Sequence, residues 1–416
     1  MSKIVSIGTA TPPHRHEQPG ILRFMERIYA LPETEKRKLR YLYHQGGIRT
    51  RHSVISDYSL PGNEWTFYPH TENLEPFPGL EQRMAWFNRY AAPLSVDAIR
   101  DCIAGRIEPR GITHLITVSC TGMSAPGLDL QVAELLNLPR NVFRTSVNFM
   151  GCYAAVHGLK LADAIAGNTP GARVVVVCTE LCTLHFQREP TPDNMMSSLL
   201  FADGSAAALV VSDDYEDREY TDQKHSDDGD ISRSSTHPGN KPRSRPLHLS
   251  SFYSEIISRG KKDMAWELSS TGFRMTLSGY IPDLVEEDFA GLVDSALRHH
   301  RARHPNEREA SPQQVQTPLQ EQTPLLQAQT LPVITDWCIH PGGRKILESI
   351  SKAMRLEPAA LAHSYEVLAE YGNMSSATIL FVLQRILRGL DGDRPHTVFG
   401  AAFGPGLTME TFMAKT

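Results

Sequence analysis

The sequence of 416 residues lacks several features that would assign it to a particular class of protein. It has no apolar run long enough to cross a bilayer and no N-terminal apolar segment with a cleavage site, so we expect a cytoplasmic protein with no membrane span. It also lacks an excess of one charge: 42 Lys and Arg face 47 Asp and Glu, which argues against a nucleic-acid partner. The 6 cysteines show no paired zinc-site spacing, and we expect reduced thiols and no metal.

What the sequence does contain is a regular alternation of apolar strands and helices, which predicts α/β layers. The uninterrupted apolar run ARVVVVCTEL, residues 172–181, is typical of a strand covered on both faces. We expect two halves, residues 1–213 and 249–416, each with strand–turn–helix units. A charged segment, residues 214–248, is predicted to be a mobile surface insertion between them, and residues 304–332 a low-complexity loop.

Cys152 lies at the pivot of the stretch VNFMGCYAAVHGLKLADAIAG, residues 147–167. Met150 and Gly151 before it indicate a turn, and apolar residues at helical spacing after it predict a helix that ends at Gly167. We therefore expect Cys152 at the first turn of a buried helix, where backbone N–H groups and the helix dipole stabilise a thiolate. The alternative is a small core hydrophobe, the usual role of a free cysteine.

Two further polar residues stand at strand ends or turns flanked by glycine. His340 ends the strand ITDWCIH before the turn PGG, and Asn373 follows Gly372 before the helix SSATILFVLQRIL. Singly, His340 is compatible with a core histidine and Asn373 with a helix N-cap. Together with Cys152 they offer a nucleophile, a base and a hydrogen-bond donor at the strand ends, where layered α/β folds concentrate their catalytic groups.

The motifs GCYAA, LLFADGSAA, CIHPGG, YGNMSSAT and FGPGLT, in this order, resemble those of type III polyketide synthases of the chalcone synthase superfamily. The resemblance runs from about residue 3 to the C-terminus, except for the two insertions. It implies a five-layered αβαβα thiolase fold built from two duplicated halves. It also implies a homodimer that takes an acyl-CoA starter and malonyl-CoA as substrates and needs no cofactor.

The same resemblance implies the mechanism. Cys152, as a thiolate paired with the His340 imidazolium, attacks the starter thioester and holds the acyl chain. Malonyl-CoA then loses carbon dioxide, and donors from His340 and Asn373 stabilise the enolate oxygen. The set Cys-His-Asn differs from that of thiolases, but it is shared with ketoacyl-ACP synthase III.

Gatekeeping residues between a CoA tunnel and a cavity follow from the same motifs. Phe201 in LLFADG matches the gatekeeper phenylalanine of the family, although a core aromatic is an alternative. A second gatekeeping aromatic is usual upstream of Pro282, and Met275 stands there instead. Phe273 lies two residues earlier on the same strand face.

Residues expected to line the cavity are also unusual. Trp266 stands where plant members have glycine, so it should remove volume from the elongation pocket unless it belongs to the core. His185 stands where plant members have threonine, and Cys120 matches the cysteine of the bacterial branch. The other expected pocket residues are Cys182, Phe186 and Ser375.

A pair of basic residues, Arg49 and Arg51, alternates along the predicted edge strand GGIRTRHSV. Such a pair can bind phosphates, or it can form a solvated strand edge. The resemblance favours the first interpretation, because the family binds the CoA phosphates in this region.

The leading hypothesis is a type III polyketide synthase that extends a fatty acyl-CoA starter to an alkylpyrone or alkylresorcinol. One alternative is a single-step condensing enzyme similar to ketoacyl-ACP synthase III. Another is an inactive paralogue that acts as a scaffold, with the charged insertion as its interaction surface. Retention of Cys152, His340 and Asn373 argues against the scaffold.

Overall fold

The protein is described here by a computed structural model that covers residues 2–215, 245–305, 333–390 and 394–416. Its strands are β1 (Ser2–Ala10), β2 (His14–Glu17), β3 (Thr50–Ser53), β4 (His114–Ser119), β5 (Phe143–Asn148), β6 (Arg173–Leu181), β7 (Asp203–Ser212), β8 (Leu247–Ile256), β9 (Met264–Ser269), β10 (Gly272–Leu277), β11 (Asp336–Ile339), β12 (Thr397–Gly404) and β13 (Thr408–Lys415). Its α-helices are α1 (Gln18–Tyr29), α2 (Glu33–Gln45), α3 (Leu80–Ile103), α4 (Leu128–Leu135), α5 (Ala154–Asn168), α6 (Pro192–Leu200), α7 (Ile281–Arg303), α8 (Arg344–Met354), α9 (Ala362–Tyr371) and α10 (Thr378–Gly389).

Nine of these strands form one sheet in the order β11-β12-β13-β8-β1-β7-β6-β4-β5. The order contains a repeat. In each half the first strand lies antiparallel to the last (β1 to β7, β8 to β13), and the last is antiparallel to the strand before it. That strand is parallel to an earlier one, as β6 is to β4 and β12 is to β11. The antiparallel pair β1–β8 joins the halves, so the predicted duplicated architecture is confirmed.

Three apolar clusters separate five layers. One lies between α3 and α4 and the outer face of the first half-sheet. A second surrounds α5 and α10, which pack against strands of both halves. The third covers the outer face of the second half-sheet beneath α7 and α8. In β6, Val174 and Val176 belong to the middle cluster while Val175 and Val177 belong to the outer one, so this strand is covered on both faces as predicted.

Several local features were not predicted from the sequence. Helices α1 and α2 follow each other near the N-terminus, and a short strand, β2, precedes them and pairs with β3. Helix α9, just before Asn373, was not predicted; it has no N-cap side chain. Residues 216–244 and 306–332, which contain most of both predicted insertions, lie outside the described residues, but Leu247 and His248 already belong to β8.

Candidate active site

Cys152 stands on a turn between β5 and α5. Phe149 and Gly151 adopt positive φ values of 58° and 77°, and a 3-10 turn, Gly151–Tyr153, then leads into α5. A side chain at Gly151 would overlap Pro405 of the FGPG loop, so this position requires glycine twice over, for its φ and for its close contact. The prediction that Cys152 lies at the first turn of a buried helix is therefore confirmed.

His340 directly follows β11, which ends at Ile339. Its backbone N–H donates to the Ala401 carbonyl at 2.9 Å, and the residue is 1% exposed. Neither ring nitrogen has a hydrogen-bond partner among the described residues. Burial lowers the pKa of His340 to about 3, so the free imidazole is neutral at physiological pH. A buried ring with two unused nitrogens is a site at which a ligand can form hydrogen bonds.

Asn373 lies between His340 and Cys152. Its Nδ2 donates to the Gly342 carbonyl at 3.2 Å, and the position where Gly342 would carry a Cβ is 3.9 Å from His340 Nε2. Its Oδ1 accepts the Ser375 N–H at 2.8 Å, so it also caps the 3-10 turn that precedes α10. Because Nδ2 carries two hydrogens, the second one faces the Cys152 thiol and becomes available to a substrate once that thiol is acylated.

The Cys152 thiol lies beside the side chains of Ser375 and Asn373, which hydrogen-bond to it. Cys152 as a residue is half-buried. Burial of its thiol raises the pKa of Cys152 to about 12, and these two hydrogen bonds only partly oppose the shift. Neither a lone thiolate nor a lone imidazolium is stable here. The expected pair of charges can form only if one proton moves from Cys152 to His340.

A residue that the sequence analysis missed, Glu180, lies next to this cluster. Its fully buried carboxyl accepts from the Cys120 N–H at 3.0 Å, the Thr121 hydroxyl at 2.8 Å and the Ser376 hydroxyl at 2.5 Å. Burial raises the pKa of Glu180. The signal was present in the sequence, because Glu180 is the single acidic residue in an apolar run that is covered on both faces.

Phe201 stands directly beside Asn373. The two residues form a parallel β-bridge, in which Asn373 N–H donates to Leu200 and Ala202 N–H donates to Asn373, both at 2.9 Å. Phe201 is one of four rings packed side by side. His185 stacks on Phe273 with ring centroids 4.2 Å apart, and Trp266 packs against Phe201, His185 and Phe273 at 5.6–6.5 Å.

Hydrogen bonds fix this wall of rings. Trp266 Nε1 donates to the Cys120 carbonyl at 2.6 Å, while His185 Nε2 bonds the Thr121 carbonyl at 2.7 Å and its Nδ1 accepts the Phe273 N–H at 3.1 Å. Burial lowers the pKa of His185 to about 3. His185 is therefore a neutral wall residue with both nitrogens occupied, and it is not available for proton transfer.

Most of the predicted pocket residues meet around one small cavity of about 40 Å³. Its lining includes Cys182, His185, Phe186, Phe201, Trp266, Phe273 and Met275. Trp266 is only half-buried, and Met275 pairs with it across the β9–β10 hairpin. Cys120 and Ser375 lie outside this lining, nearer Cys152, and are 3.2 Å apart between sulfur and oxygen.

The two predicted CoA-binding arginines have different environments. Arg49 has 69% of its side chain exposed and lies on an open groove with Arg344, Lys352 and Tyr365. Arg51 is only 4% exposed, and its guanidinium donates to Gln18 and to the Phe201 carbonyl. The prediction that Arg51 binds CoA phosphates is therefore wrong, because within β3 this side chain points inward, whereas Arg49 precedes the strand and faces solvent.

Within residues 2–215, 245–305, 333–390 and 394–416 no helix is long and apolar enough to span a membrane. In the same ranges no group of three or more His, Cys, Asp or Glu side chains is arranged to hold a metal ion.

Comparison with known proteins connects this geometry with a family. Residues 1–214 match the model for chalcone and stilbene synthases, N-terminal domain, and residues 331–416 match the corresponding C-terminal domain. The chain is 26% identical to Type III polyketide synthase C of Arabidopsis thaliana, covering 99% of this chain and 94% of that protein. It is 25% identical to 1,3,6,8-tetrahydroxynaphthalene synthase of Streptomyces peucetius subsp. caesius, covering 100% of this chain and 93% of that protein.

A third relative is much longer. The chain is 26% identical over its whole length to Probable polyketide synthase 1 of Dictyostelium discoideum, but it spans 11% of that protein.

Solved structures agree on the fold. The C-terminal type III polyketide synthase domain of Steely1 from Dictyostelium matches 100% of this chain and 99% of its own with a TM-score of 0.79 at 24% identity. PKS-I from the brown alga Ectocarpus siliculosus matches 100% and 98% with the same score at 25% identity.

Because the pKa of Cys152 is raised, the rate at which iodoacetamide alkylates this thiol measures whether His340 accepts its proton. With pKa values of about 12 for the thiol and about 3 for the imidazole, both groups stay neutral between these limits unless the proton passes from one to the other. In His340→Gln, Cys152 alkylation should therefore rise about 10-fold per pH unit from pH 6 to 9, since the thiolate fraction does so below the pKa.

The unaltered protein should react faster at pH 7 and show a much flatter profile, because His340 accepts the proton. Peptide mass spectrometry follows the modification at Cys152, and Cys102, a buried thiol in α3, serves as the internal control. Identical pH slopes in both proteins would contradict the coupling.

Proposed function

This chain belongs to the chalcone and stilbene synthase family of type III polyketide synthases, and on that basis we propose that it extends an acyl-CoA starter by repeated decarboxylative condensation with malonyl-CoA. The observation that carries this proposal is the buried His340 ring, whose two nitrogens have no partner among the described residues, beside the bond from Asn373 to Gly342. These donors and the Cys152 thiol provide the groups that acyl transfer and enolate stabilisation require.

Acyl loading begins when the Cys152 proton moves to His340. The thiolate attacks the carbonyl of the starter thioester, the bond from that carbon to the CoA sulfur breaks, and His340 returns the proton to the departing CoA thiolate. The acyl chain is then held on Cys152 and the imidazole is neutral again. Because both groups are desolvated, the transfer avoids leaving either charge alone in the site.

Chain extension uses the same donors. Malonyl-CoA loses carbon dioxide, and the electron pair of the broken bond forms an enolate whose oxygen accepts from His340 and from the free Nδ2 hydrogen of Asn373. One such donor is worth about 3–4 kcal/mol in comparable oxyanion sites. The enolate carbon attacks the acyl carbon on Cys152, a carbon–carbon bond forms and the bond to the Cys152 sulfur breaks. The Cys152 thiolate takes up a proton from solvent, which restores the neutral pair before the next transfer.

A fatty acyl starter is favoured by the apolar part of the cavity lining, which includes Ile21 and Met25 of α1, Met275 of β10 and Phe186. At about 40 Å³ the cavity does not hold an acyl chain as it stands, so a starter would have to displace flexible side chains such as Met25 and Met275. Phe201 connects it to Asn373, so a chain that passes Phe201 would leave water for an apolar surface. Arg49 remains the proposed contact for the CoA phosphates, with Arg344 and Lys352 in the same open groove.

A homodimer is supported by strand β5. It lies at the outer edge of the sheet and pairs only with β4 among the described strands, and Phe143 on it is 69% exposed. Met123, in the loop after β4, is 50% exposed. An unpaired strand edge beside apolar side chains is a template for pairing, and the same edge of a second copy would satisfy it around a two-fold axis.

The test of the proposed function is an incubation of the protein with malonyl-CoA and a series of acyl-CoA starters. Intact-protein mass spectrometry should detect acylation, and peptide mapping should assign it to Cys152. Cys152→Ala should lose loading and all product, whereas Cys102→Ala, a thiol in the outer helical layer, should keep both. Acylation of Cys120 or Cys182, or extension only from carrier-protein-bound malonate, would contradict the proposal.

Trp266 is proposed to limit the elongation space. Trp266→Gly should shift products toward longer chains or bulkier starters, while Trp266→Phe, which keeps an aromatic ring, should change them little. A fully buried tryptophan would cost about 3–5 kcal/mol of unfolding free energy on truncation, but Trp266 is half-buried and should cost less. Liquid chromatography with mass spectrometry gives the products. An unchanged profile in well-folded Trp266→Gly would contradict the pocket role.

The proposed dimer is tested by charge at the β5 edge. Phe143→Asp would place an unpaired carboxylate in the apolar contact of each protomer, so we expect it to dissociate the dimer at micromolar concentration in sedimentation velocity. Tyr280→Asp, at an equally exposed aromatic that is not on this edge, should leave the dimer intact. A monomeric unaltered protein, or two variants that dimerise equally, would contradict this interface.

A further inference from the structure

Arg51 lies inside the protein, close to the segment that carries Phe201. Its Nε donates to Gln18 Oε1 at 3.0 Å and its Nη1 donates to the Phe201 carbonyl at 2.6 Å. Gln18 in turn donates from Nε2 to the Leu199 carbonyl at 3.0 Å. Two side chains from the N-terminal region therefore hold the carbonyls of the segment between α6 and β7.

The same segment is held from its other side by Asn373. The Leu200 carbonyl accepts from the Asn373 N–H, and the Ala202 N–H donates to the Asn373 carbonyl, both at 2.9 Å. The Phe201 carbonyl, which accepts from Arg51, therefore lies between the Leu200 carbonyl and the Ala202 N–H, and both of these pair with the Asn373 backbone. A shift of this segment would move the Asn373 backbone with it.

Arg51 also contacts the turn before Asn373 directly. Gly372 adopts φ 71°, and a Cβ there would lie 2.9 Å from Arg51 Cγ and Cδ, so the aliphatic part of Arg51 packs flat against the Gly372 backbone. The start of β3 and the residue before it also hold the end of α9. Arg49 N–H donates to the Ala369 carbonyl at 2.7 Å, and the Thr50 hydroxyl donates to the Glu370 carbonyl at 2.6 Å.

The buried position of the Arg51 charge is electrostatically unfavourable. Among the described residues it has no ion-pair partner, and Asp203, the carboxyl that attracts it, is itself bonded to Val54 and Thr183. Desolvation lowers the pKa of Arg51. A buried cation is costly, and here the Phe201 carbonyl and the Gln18 amide oxygen offset part of that cost.

We propose that Arg51 is a positioning residue, which fixes the Phe201–Asn373 bridge and thereby aims the Asn373 amide at the substrate oxyanion. The inference rests on the proposed function, since it takes Asn373 as the oxyanion donor. It separates two steps of that function. Acyl loading needs Cys152 and His340, which Arg51 does not touch, whereas decarboxylation of malonyl-CoA also needs Asn373.

The experiment compares Arg51→Met, which keeps the stem, with Arg51→Lys, which keeps the charge but cannot form the same two hydrogen bonds. In Arg51→Met, loading of Cys152 should stay within about 3-fold of the unaltered protein, and carbon dioxide release from malonyl-CoA should fall about 10-fold. The release rate of Arg51→Lys should lie between those of Arg51→Met and the unaltered protein. Asn373→Ala should lose on the order of 100-fold in release. Arg15→Met, on the exposed face of the paired strand β2, is the control and should change neither rate.

Hydrogen exchange gives a readout that needs no turnover. Arg51→Met should exchange faster than the unaltered protein in residues 199–203 and 371–377 and equally in residues 150–156; if it does not fold, Arg51→Lys carries the same comparison. Unchanged exchange, or equal losses in loading and release, would overturn the role of Arg51. If Asn373→Ala releases carbon dioxide normally, the proposed function fails instead.

Discussion

Exclusion of water from the Cys152 thiol and the His340 imidazole is the constraint on which the rest of this site depends. Desolvation raises the pKa of Cys152 to about 12 and lowers that of His340 to about 3, so neither charge is stable by itself. In the proposed function the two groups therefore exchange one proton between them. In such surroundings the free hydrogens of His340 and Asn373 also interact more strongly with a developing oxyanion than they would in water.

The duplicated sheet explains how three distant residues reach one dry cluster. Cys152 leaves β5 of the first half, while His340 and Asn373 belong to the second half. Helices α5 and α10 lie between the halves, and the turns that begin them both open toward the same point. The contact of Gly151 with Pro405 and the packing of Arg51 on Gly372 hold two of these turns, each through a glycine with positive φ. Glycine adopts this backbone conformation without steric cost, so each turn forms without strain at that residue.

Much of the fold and the centre of the site were predictable from the sequence, because their signals are local. Glycine beside Cys152, His340 and Asn373 marked three turns, and the apolar run of β6 marked a strand buried on both faces. Arg51 was assigned wrongly because two arginines two residues apart would share one face of a strand, but β3 begins only at Thr50 and Arg49 lies outside it. Helix α9 and the wall of rings depend on contacts between residues far apart in the chain, and no local pattern encodes them.

The central claim is that one site, with Cys152 as nucleophile and His340 and Asn373 as donors, carries out both loading and extension. A crystal structure of the acyl-enzyme, formed with a fatty acyl-CoA and then soaked with a malonyl-CoA analogue that cannot lose carbon dioxide, tests it most directly. We expect the acyl carbon bonded to Cys152 Sγ, the chain beyond Phe201, and the analogue's thioester oxygen within hydrogen-bonding distance of His340 and Asn373. An acyl group on another thiol, or a thioester oxygen directed away from both donors, would contradict the account.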